Sequence, residues 1–469
     1  MLTESNAPAS ALLTDLYQLT MLQGYFDQGM EETAVFEFFV RKLPAERNFL
    51  IAAGLEQALT FLEKVKFTSE ELECVSNHGA FRPEFVNYLE QLRFTGDVHA
   101  MPEGTVFFAN EPILRVTAPI AEAQLVESRL INLLHFQTLI ASKAARSVLM
   151  APAKLLVDFG LRRAHGAEAG LLAARASYLA GFAGSATVLA APLYGIPVFG
   201  TMAHSFVQAH DDETAAFEHF ARSLPENVIL LIDTYDTEAA AEKVVRLAPK
   251  LARDGIKING VRIDSGDLAD HAFKVRRILD DGGLKEATIF ASGGVDEYVL
   301  ARLQERNAPI DGYGIGTHMD TSADAPYLDC AYKLVEYAGS ARRKRSEGKI
   351  LWPGRKQVSR TYDNDGRMIE DVLTLEGDQL EGEALIQPVM RAGRRLAPAV
   401  PLSESRARAL RGLKSLPEAL KKLEHAPVYP VRVAVAIQQL AREVDAKQLN
   451  SRDQQSATRR SLGEQPSVG

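Results

Sequence analysis

His204 is the first residue in this chain that suggests chemistry, because of what precedes it: Ile196-Pro197-Val198-Phe199-Gly200-Thr201-Met202-Ala203-His204-Ser205-Phe206. The run Ile196 to Phe199 reads as a short buried strand, and Gly200 lets the backbone turn. The imidazole then sits just past the strand's C-terminal end, where parallel α/β enzymes place their reacting groups. Thr201 and Ser205 flank it as candidate ligand contacts. A lone histidine after a strand is commonly an ordinary polar residue, so the other strand ends decide. Arg262-Ile263-Asp264-Ser265-Gly266-Asp267 sets a cation and an anion two residues apart, on one face of a strand. The carboxylate suits ribose hydroxyls or a metal and the guanidinium suits phosphate; a structural ion pair is the alternative. Asp233 and Asp236 can serve the same ends, or cap a helix beginning near Thr237. Asp158-Phe159-Gly160-Leu161-Arg162-Arg163 adds an aromatic face and fixed cations. A flat aromatic acid can stack on Phe159 and pair with an arginine, unless Phe159 is core. Gly200-Thr201, Ser292-Gly293-Gly294 and Gly314-Ile315-Gly316-Thr317 offer unhindered backbone N–H groups that cradle phosphate, although tight turns need glycine too.

The elements that must hold these residues recur in order. Strand-like runs occur at Lys154–Phe159, Ile196–Phe199, Val228–Ile232, Gly260–Ile263, Thr288–Ala291 and Gly312–Ile315, spaced to leave room for helices between several of them. Most end in Gly, Asp, Ser or Thr, which predicts a barrel-like α/β domain with one functional rim; an open doubly wound sheet would leave the same pattern. Ahead of it, Leu12 to Gly29 predicts a helix capped by Thr14 or Asp15. By spacing alone, Tyr17 on that helix is core or surface. Ala34 to Val40 follows as a strand, Leu50 to Lys64 and Glu122 to Met150 as helices. The expected domains are an N-terminal α/β domain over 1–125, the barrel over 126–340, and a part over 341–440 that rejoins the first domain. A polar tail over 441–469 is expected to be disordered.

Composition narrows the class. With 469 residues and 46% hydrophobic content, the chain can bury a large core in two or three domains. A net charge of −8 argues against a nucleic-acid protein, and the basic run Arg342-Arg343-Lys344-Arg345 is local. Cys74 and Cys330 make neither a disulfide framework nor metal-ligand spacing, so a reducing cytoplasm is the expected setting. The start of the chain lacks the pattern of a signal peptide, and no stretch approaches the roughly 18 apolar residues of a membrane span.

Beyond single residues, the chain resembles nicotinate phosphoribosyltransferase along nearly all of its length ahead of the polar tail. The matching segments, in order, are LTDLYQLTM, VFEFFVRKLP, DFGLRRAHG, FGTMAHSF, LLIDTYDT, GVRIDSGDL, ASGGVDE, GYGIGT, YKLVEY and PGRKQVSR. The resemblance implies an irregular, type II phosphoribosyltransferase α/β barrel plus an α/β domain built from both ends of the chain. It implies synthesis of nicotinate mononucleotide from nicotinate and phosphoribosyl pyrophosphate, with ATP hydrolysis coupled through a phosphohistidine and Mg²⁺ accompanying the phosphates. By position in the motifs, His204 is that histidine. Phe159 stacks on the pyridine, Arg162 lies near the base and phosphates, and Tyr17 approaches from a second subunit of a homodimer. Arg262 and Asp264 serve the phosphoribosyl group, and Gly293, Gly294, Gly314, Gly316 and Thr317 its 5′-phosphate. No metal ligand is assigned. Gly184-Ser185-Ala186-Thr187-Val188 matches a base-site loop, which brings in Ser185. At Ala186 the nicotinamide enzyme carries aspartate and nicotinate enzymes usually asparagine, so alanine departs from both.

Two further expectations compete. Nicotinamide phosphoribosyltransferase shares the barrel and the histidine, whereas the quinolinate enzyme is shorter and lacks the ATP-linked histidine. A non-catalytic sugar-phosphate-binding paralogue is the alternative from another class; intact His204, Arg262 and Asp264 argue against it.

Overall fold

The computed structural model describes residues 7–346, 349–378 and 381–448. Six short parallel strands form the sheet that carries the site: β1 (Leu155–Asp158), β2 (Gly184–Ser185), β3 (Val228–Leu231), β4 (Ile258–Ile263), β5 (Thr288–Ala291) and β6 (Gly312–Ile315). Their order is β2-β1-β6-β5-β4-β3, an open half-barrel. Helices return the chain between most of these strands, as parallel pairing requires. The register aligns the C-terminal ends: Asp158 lies beside Ile315, and Ala291 beside Ile263. Phe159, Ser292 and Asp264 therefore leave the sheet along one edge.

The Ile196–Phe199 strand expected from sequence does not form. Its place in the sheet falls to Gly184–Ser185, and a single bridge joins Ser185 to Val198. Pro197 has no N–H to give to a ladder, and Pro197 and Val198 are exposed rather than buried.

A second, seven-stranded antiparallel sheet runs Ser340–Ala341, Cys330–Tyr337, Thr33–Val40, Pro112–Pro119, Asp97–Ala100, Gln387–Arg391, Arg394–Arg395. Both ends of the chain thus build one layer. The barrel boundary predicted at residue 340 falls too late, because Cys330–Tyr337 pairs with Ala34–Val40, with Tyr332 stacked on Phe36 at 4.9 Å. Not all of 341–440 rejoins that layer. Lys356–Tyr362, Met368–Leu375, Glu383–Ala384 and Val431–Val433 make their own four-stranded sheet.

The long helical stretch breaks at Val126 into Ile120–Leu125 and Glu127–Met150. Helix Glu127–Met150 joins the two cores: Leu130, Leu134 and Leu139 pack with the antiparallel sheet, Ile140, Ala141 and Ala144 with the barrel. Buried charges fix its angle. Lys143 meets Glu297 at 2.8 Å and Asp324 at 2.7 Å, and Arg47 meets Asp324 at 3.1 Å. Burial opposes ionisation of Asp324, yet Arg47 and Lys143 hold its carboxyl down to about 2. The expected tail is shorter than 441–469. Residues 435–448 are helical, with Ile437, Ala441 and Val444 buried at helical spacing. Residues 449–469 lie outside the described residues.

Candidate active site

The centre of the site is built where β4 and β3 end. Arg262 points off β4 and donates to the Thr201 hydroxyl at 2.8 Å and to the Met202 carbonyl at 3.1 Å. Its guanidinium also lies 3.8 Å from Asp264 Oδ1 and 6.0 Å from the centre of the Phe159 ring. Burial pulls its pKa down, the carboxylates of Asp264 and Asp233 raise it, and neighbouring Arg162 lowers it again. The guanidinium stays charged and, with Nε buried and unpaired, keeps unspent donor capacity beside the rim.

Asp264 is held on three sides. Its backbone N–H donates to Asp233 Oδ2 at 2.9 Å, and the Ser292 hydroxyl donates to its Oδ1. Its Oδ2 lies 3.8 Å from His204 Nε2. His204 opens the short helix His204–Gln208, and its Nδ1 pairs with the Thr234 hydroxyl at 3.2 Å. One ring nitrogen is thereby occupied and the other faces the carboxylate. Asp236 caps helix Thr237–Arg253, receiving the Ala239 N–H at 2.7 Å. Asp233 does not cap; it accepts from Asp264 and, at 2.6 Å, from the Ser265 hydroxyl. The two acids that sequence left equivalent therefore do different work.

The loops after β5 and β6 close the rim. Gly293 has a left-handed φ of 91°, and a side chain there would overlap the Asp264 carbonyl. At Gly314 a side chain would overlap the Phe159 ring. The N–H groups of Gly293, Gly294 and Gly316 bond to no acceptor among the described residues, which leaves them for a ligand. Thr317 is exposed at the start of the turn Thr317–Asp320. Asp296 ties the two loops, capping helix Glu297–Glu305 at 2.8 Å and lying 3.4 Å from His318. A guanidinium, a carboxylate, an imidazole and free backbone donors thus converge beside an aromatic ring, a set suited to an anionic sugar phosphate and a flat base.

The chain matches the nicotinate phosphoribosyltransferase (NAPRTase) N-terminal domain over residues 12–135, the NAPRTase family over 155–338 and the NAPRTase C-terminal domain over 378–441. It is 49% identical over 426 residues to the nicotinate phosphoribosyltransferase pncB2 of Mycobacterium tuberculosis, covering 90% of this chain and 91% of that one. The chain belongs to the nicotinate phosphoribosyltransferase family. A second relative, the Bacillus subtilis nicotinate phosphoribosyltransferase, is 38% identical, with 80% of this chain and 78% of that one covered. The human nicotinic acid phosphoribosyltransferase structure superposes with a TM-score of 0.83 at 29% identity, over 92% of this chain and 99% of that one.

Within this nicotinate phosphoribosyltransferase fold, the candidates read from sequence fall into two groups. His204, Thr201, Arg262, Asp264, Phe159 and the glycine loops converge on the rim. Arg162 sits on the exposed turn Leu161–Arg163 beside it, and Ser205 is exposed next to His204. Ser185 is turned away: its buried hydroxyl donates to Asp158 at 2.6 Å and accepts from the Thr187 N–H at 2.9 Å. Its side chain is fully committed to the protein, whereas Ala186 beside it is exposed. Tyr17 is 47% exposed on helix Leu16–Asp27, beside Glu127 and Ser128 rather than in the rim cluster. Thr234 and Asp320 went unread, and Ser292 was read only as part of a glycine loop, not for its hydroxyl on Asp264. Hydroxyls that orient another side chain leave no signal in sequence, and Asp320 stands in no chemical pattern.

Oxygen donors for a hard cation are also present. Asp233 Oδ1 is buried without a hydrogen-bond partner, while its Oδ2 accepts the Asp264 N–H at 2.9 Å. No cluster of three or more His, Cys, Asp or Glu able to hold a metal exists among the described residues. That donor set fits Mg²⁺, which takes one or two carboxylates and draws its other ligands from substrate phosphates and water.

Proposed function

We propose that this chain transfers the phosphoribosyl group of phosphoribosyl pyrophosphate to nicotinate, forming nicotinate mononucleotide and pyrophosphate in pyridine nucleotide salvage. The observation that carries the reading is the meeting of His204, Arg262 and Asp264 with free backbone donors beside Phe159, in a chain of this family. Nicotinate stacks on Phe159 with Arg162 near its carboxylate. The Gly293-Gly294 and Gly314–Thr317 loops take the 5′-phosphate. As the C1′–pyrophosphate bond breaks, positive charge grows on the ribose, and the nicotinate nitrogen forms the new bond to C1′. Asp264 is a fixed negative charge for that moment, and Arg262 holds departing phosphate oxygens.

ATP enters through His204. With Nδ1 on Thr234, the ring presents Nε2 to take the terminal phosphoryl group, releasing ADP. Mg²⁺, when bound, offsets the charge of the phosphate oxygens, and Asp233 and Asp264 are the carboxylates that would hold it. We place the enzyme in the cytoplasm, a reducing setting that suits its free cysteines Cys74 and Cys330. Assaying nicotinate and nicotinamide separately, each with phosphoribosyl pyrophosphate and with or without ATP, tests the reading. Turnover of nicotinate, stimulated by ATP, is expected; preference for nicotinamide would overturn it.

Base choice gives a sharper test at Ala186. An aspartate there would face the nicotinate carboxylate as a like charge in a partly dry site, a clash of several kcal/mol. Ala186→Asp is expected to lower kcat/KM for nicotinate far more than for nicotinamide. Equal losses would remove Ala186 from the base site.

The exposed Tyr17 supports a homodimer with shared sites, since no residue of the rim cluster covers it within one protomer. Mixing Tyr17→Ala with His204→Ala protomers, each lacking ATP-coupled turnover alone, should restore some of it, because one hybrid site then carries both native residues. If subunit exchange is verified by differential tagging and no activity returns, each protomer works alone.

A further inference from the structure

Beneath the rim lie two carboxyl groups that the proposed reaction does not use. Asp158 ends β1 and is fully buried; Asp320 ends the turn Thr317–Asp320 and is 1% exposed. Asp158 is supplied with donors on both oxygens. Its Oδ1 accepts the Gly160 N–H at 2.7 Å, and its Oδ2 accepts the Ser185 hydroxyl at 2.6 Å. Asp320 has no such support. Both its oxygens are buried, and neither accepts a bond from any donor among the described residues. Its carboxyl packs on the Gly160 backbone, in the space a side chain at that glycine would need, within bonding reach of Asp158.

A carboxylate with no donor, buried against a second carboxylate, would be an unpaired charge in a dry interior. A protonated Asp320 resolves the arrangement, since its one O–H finds an acceptor in Asp158. We propose that Asp320 is a positioning residue that works as the neutral acid, its O–H bonded to Asp158, so that one shared proton locks together the Phe159 shelf, the Ser185–Ala186 loop and the Gly316–Asp320 phosphate turn.

The connections are direct. Phe159 follows Asp158 and donates its N–H to Ile315 at 2.8 Å; Ala186 donates its own to the Asp158 carbonyl at 2.7 Å. Each of the three segments has thus a bond to Asp158 or its strand. Burial and the Asp158 charge both push the Asp320 pKa well above the carboxylate range, and burial also raises Asp158. No cation among the described residues opposes them at Asp320. The elements packed against the turn are helix Glu127–Met150, helix Ala167–Ala180 and the turn Leu161–Arg163. Their buried cations are committed elsewhere: Lys143 and Arg146 to Glu297, Arg175 to Glu103, Arg129 to Glu168. Arg47, which donates to the Ser322 hydroxyl just past the turn, is paired with Asp324. His135 accepts the Leu328 N–H at 2.9 Å, and Arg162 and Arg163 are exposed. On the turn itself, His318 pairs with Asp296.

The sign of the pH effect follows. Between the ordinary carboxyl range and the raised folded value, the native state holds a proton that the unfolded chain has released. Stability therefore falls as pH rises through that window. Above it, the two carboxylates repel and the three loop segments lose their shared tie.

The inference rests on the phosphoribosyl-transfer reading for its kinetic arm only, so the test pairs a ligand-free measurement with turnover. In the full chain without ligands, Tm is followed from acid to alkaline pH for wild type, Asp320→Asn and Asp320→Ala. Asparagine keeps a neutral donor to Asp158 and cannot ionise, so its Tm should fall less than wild type toward alkaline pH. Parallel Tm profiles for wild type and Asp320→Asn would overturn the shared proton. In turnover, Asp320→Ala should lower kcat/KM for nicotinate by about 10- to 100-fold, the scale of a rim displaced by a fraction of an ångström to one ångström. Asp320→Asn should restore it and shift the alkaline limb of the wild-type profile to higher pH. Equal kcat/KM in folded Asp320→Ala and wild type, or an unmoved limb in Asp320→Asn, would overturn the positioning role. A wild type that turns over no nicotinate would reject the proposed function instead, and the Tm profiles would still decide the proton.

Discussion

Replacing His204 by alanine is expected to abolish nicotinate-linked ATP hydrolysis and the stimulation of synthesis by ATP, while leaving slow ATP-independent synthesis. The geometry separates the two activities. His204 is held by Thr234 on one side and faces Asp264 across 3.8 Å on the other, so the imidazole is a neighbour of the ribose site rather than its floor. Alanine removes the ring nitrogen proposed to carry the phosphoryl group and leaves Arg262 on Thr201 and Met202. The glycosyl transfer keeps its fixed charges and therefore part of its rate. Measuring ADP and nicotinate mononucleotide together, with and without ATP, distinguishes the outcomes. Undiminished ATP stimulation in the variant would remove His204 from the coupling. Loss of all synthesis, with the fold intact, would place it in the transfer step itself.

The split between what sequence showed and what it hid has physical reasons. Strands with β-branched or aliphatic cores and a turn residue at the end, such as Val228–Leu231 and Thr288–Ala291, were legible because period and punctuation agree. Ile196–Phe199 looked the same by composition but carries a proline, and the competing segment Gly184–Ser185 is too short to leave a pattern. The capping of Thr237–Arg253 was legible as a choice between Asp233 and Asp236; only the fold shows that the Asp264 N–H and the Ser265 hydroxyl draw Asp233 away. Glycines near the site were visible as phosphate loops, but Gly314 serves Phe159 equally, since the aromatic ring occupies the space of its missing side chain. The helix over 435–448 escaped notice because its second half runs into the polar composition of the residues that follow, and Ile437, Ala441 and Val444 are its buried positions. Contacts between distant segments, such as His204 with Thr234 or Asp264 with Ser292, are products of topology and have no local signature.

Asp264→Asn is the substitution expected to damage both reactions. Asparagine keeps the shape, can still accept the Ser292 hydroxyl and leaves the backbone bond to Asp233 in place, so the fold should persist. What it removes is a fixed charge between the His204 ring and the Arg262 guanidinium. Loss of one preorganised electrostatic contact costs about 2.7–4 kcal/mol of transition-state stabilisation, or about 10²- to 10³-fold in kcat. If the charge serves the ribose directly, as proposed, synthesis should fall by that factor with ATP and without it, unlike the His204→Ala pattern. The double variant then separates the roles. If Asp264 acts on the ribose independently of the histidine, its effect on ATP-independent synthesis should be the same in the His204→Ala background, since the histidine adds nothing to that rate. If instead Asp264 works only by orienting His204, Asp264→Asn should have no further effect once the ring is gone. Near wild-type kcat in a folded Asp264→Asn protein would refute the assignment outright, whatever the double variant does.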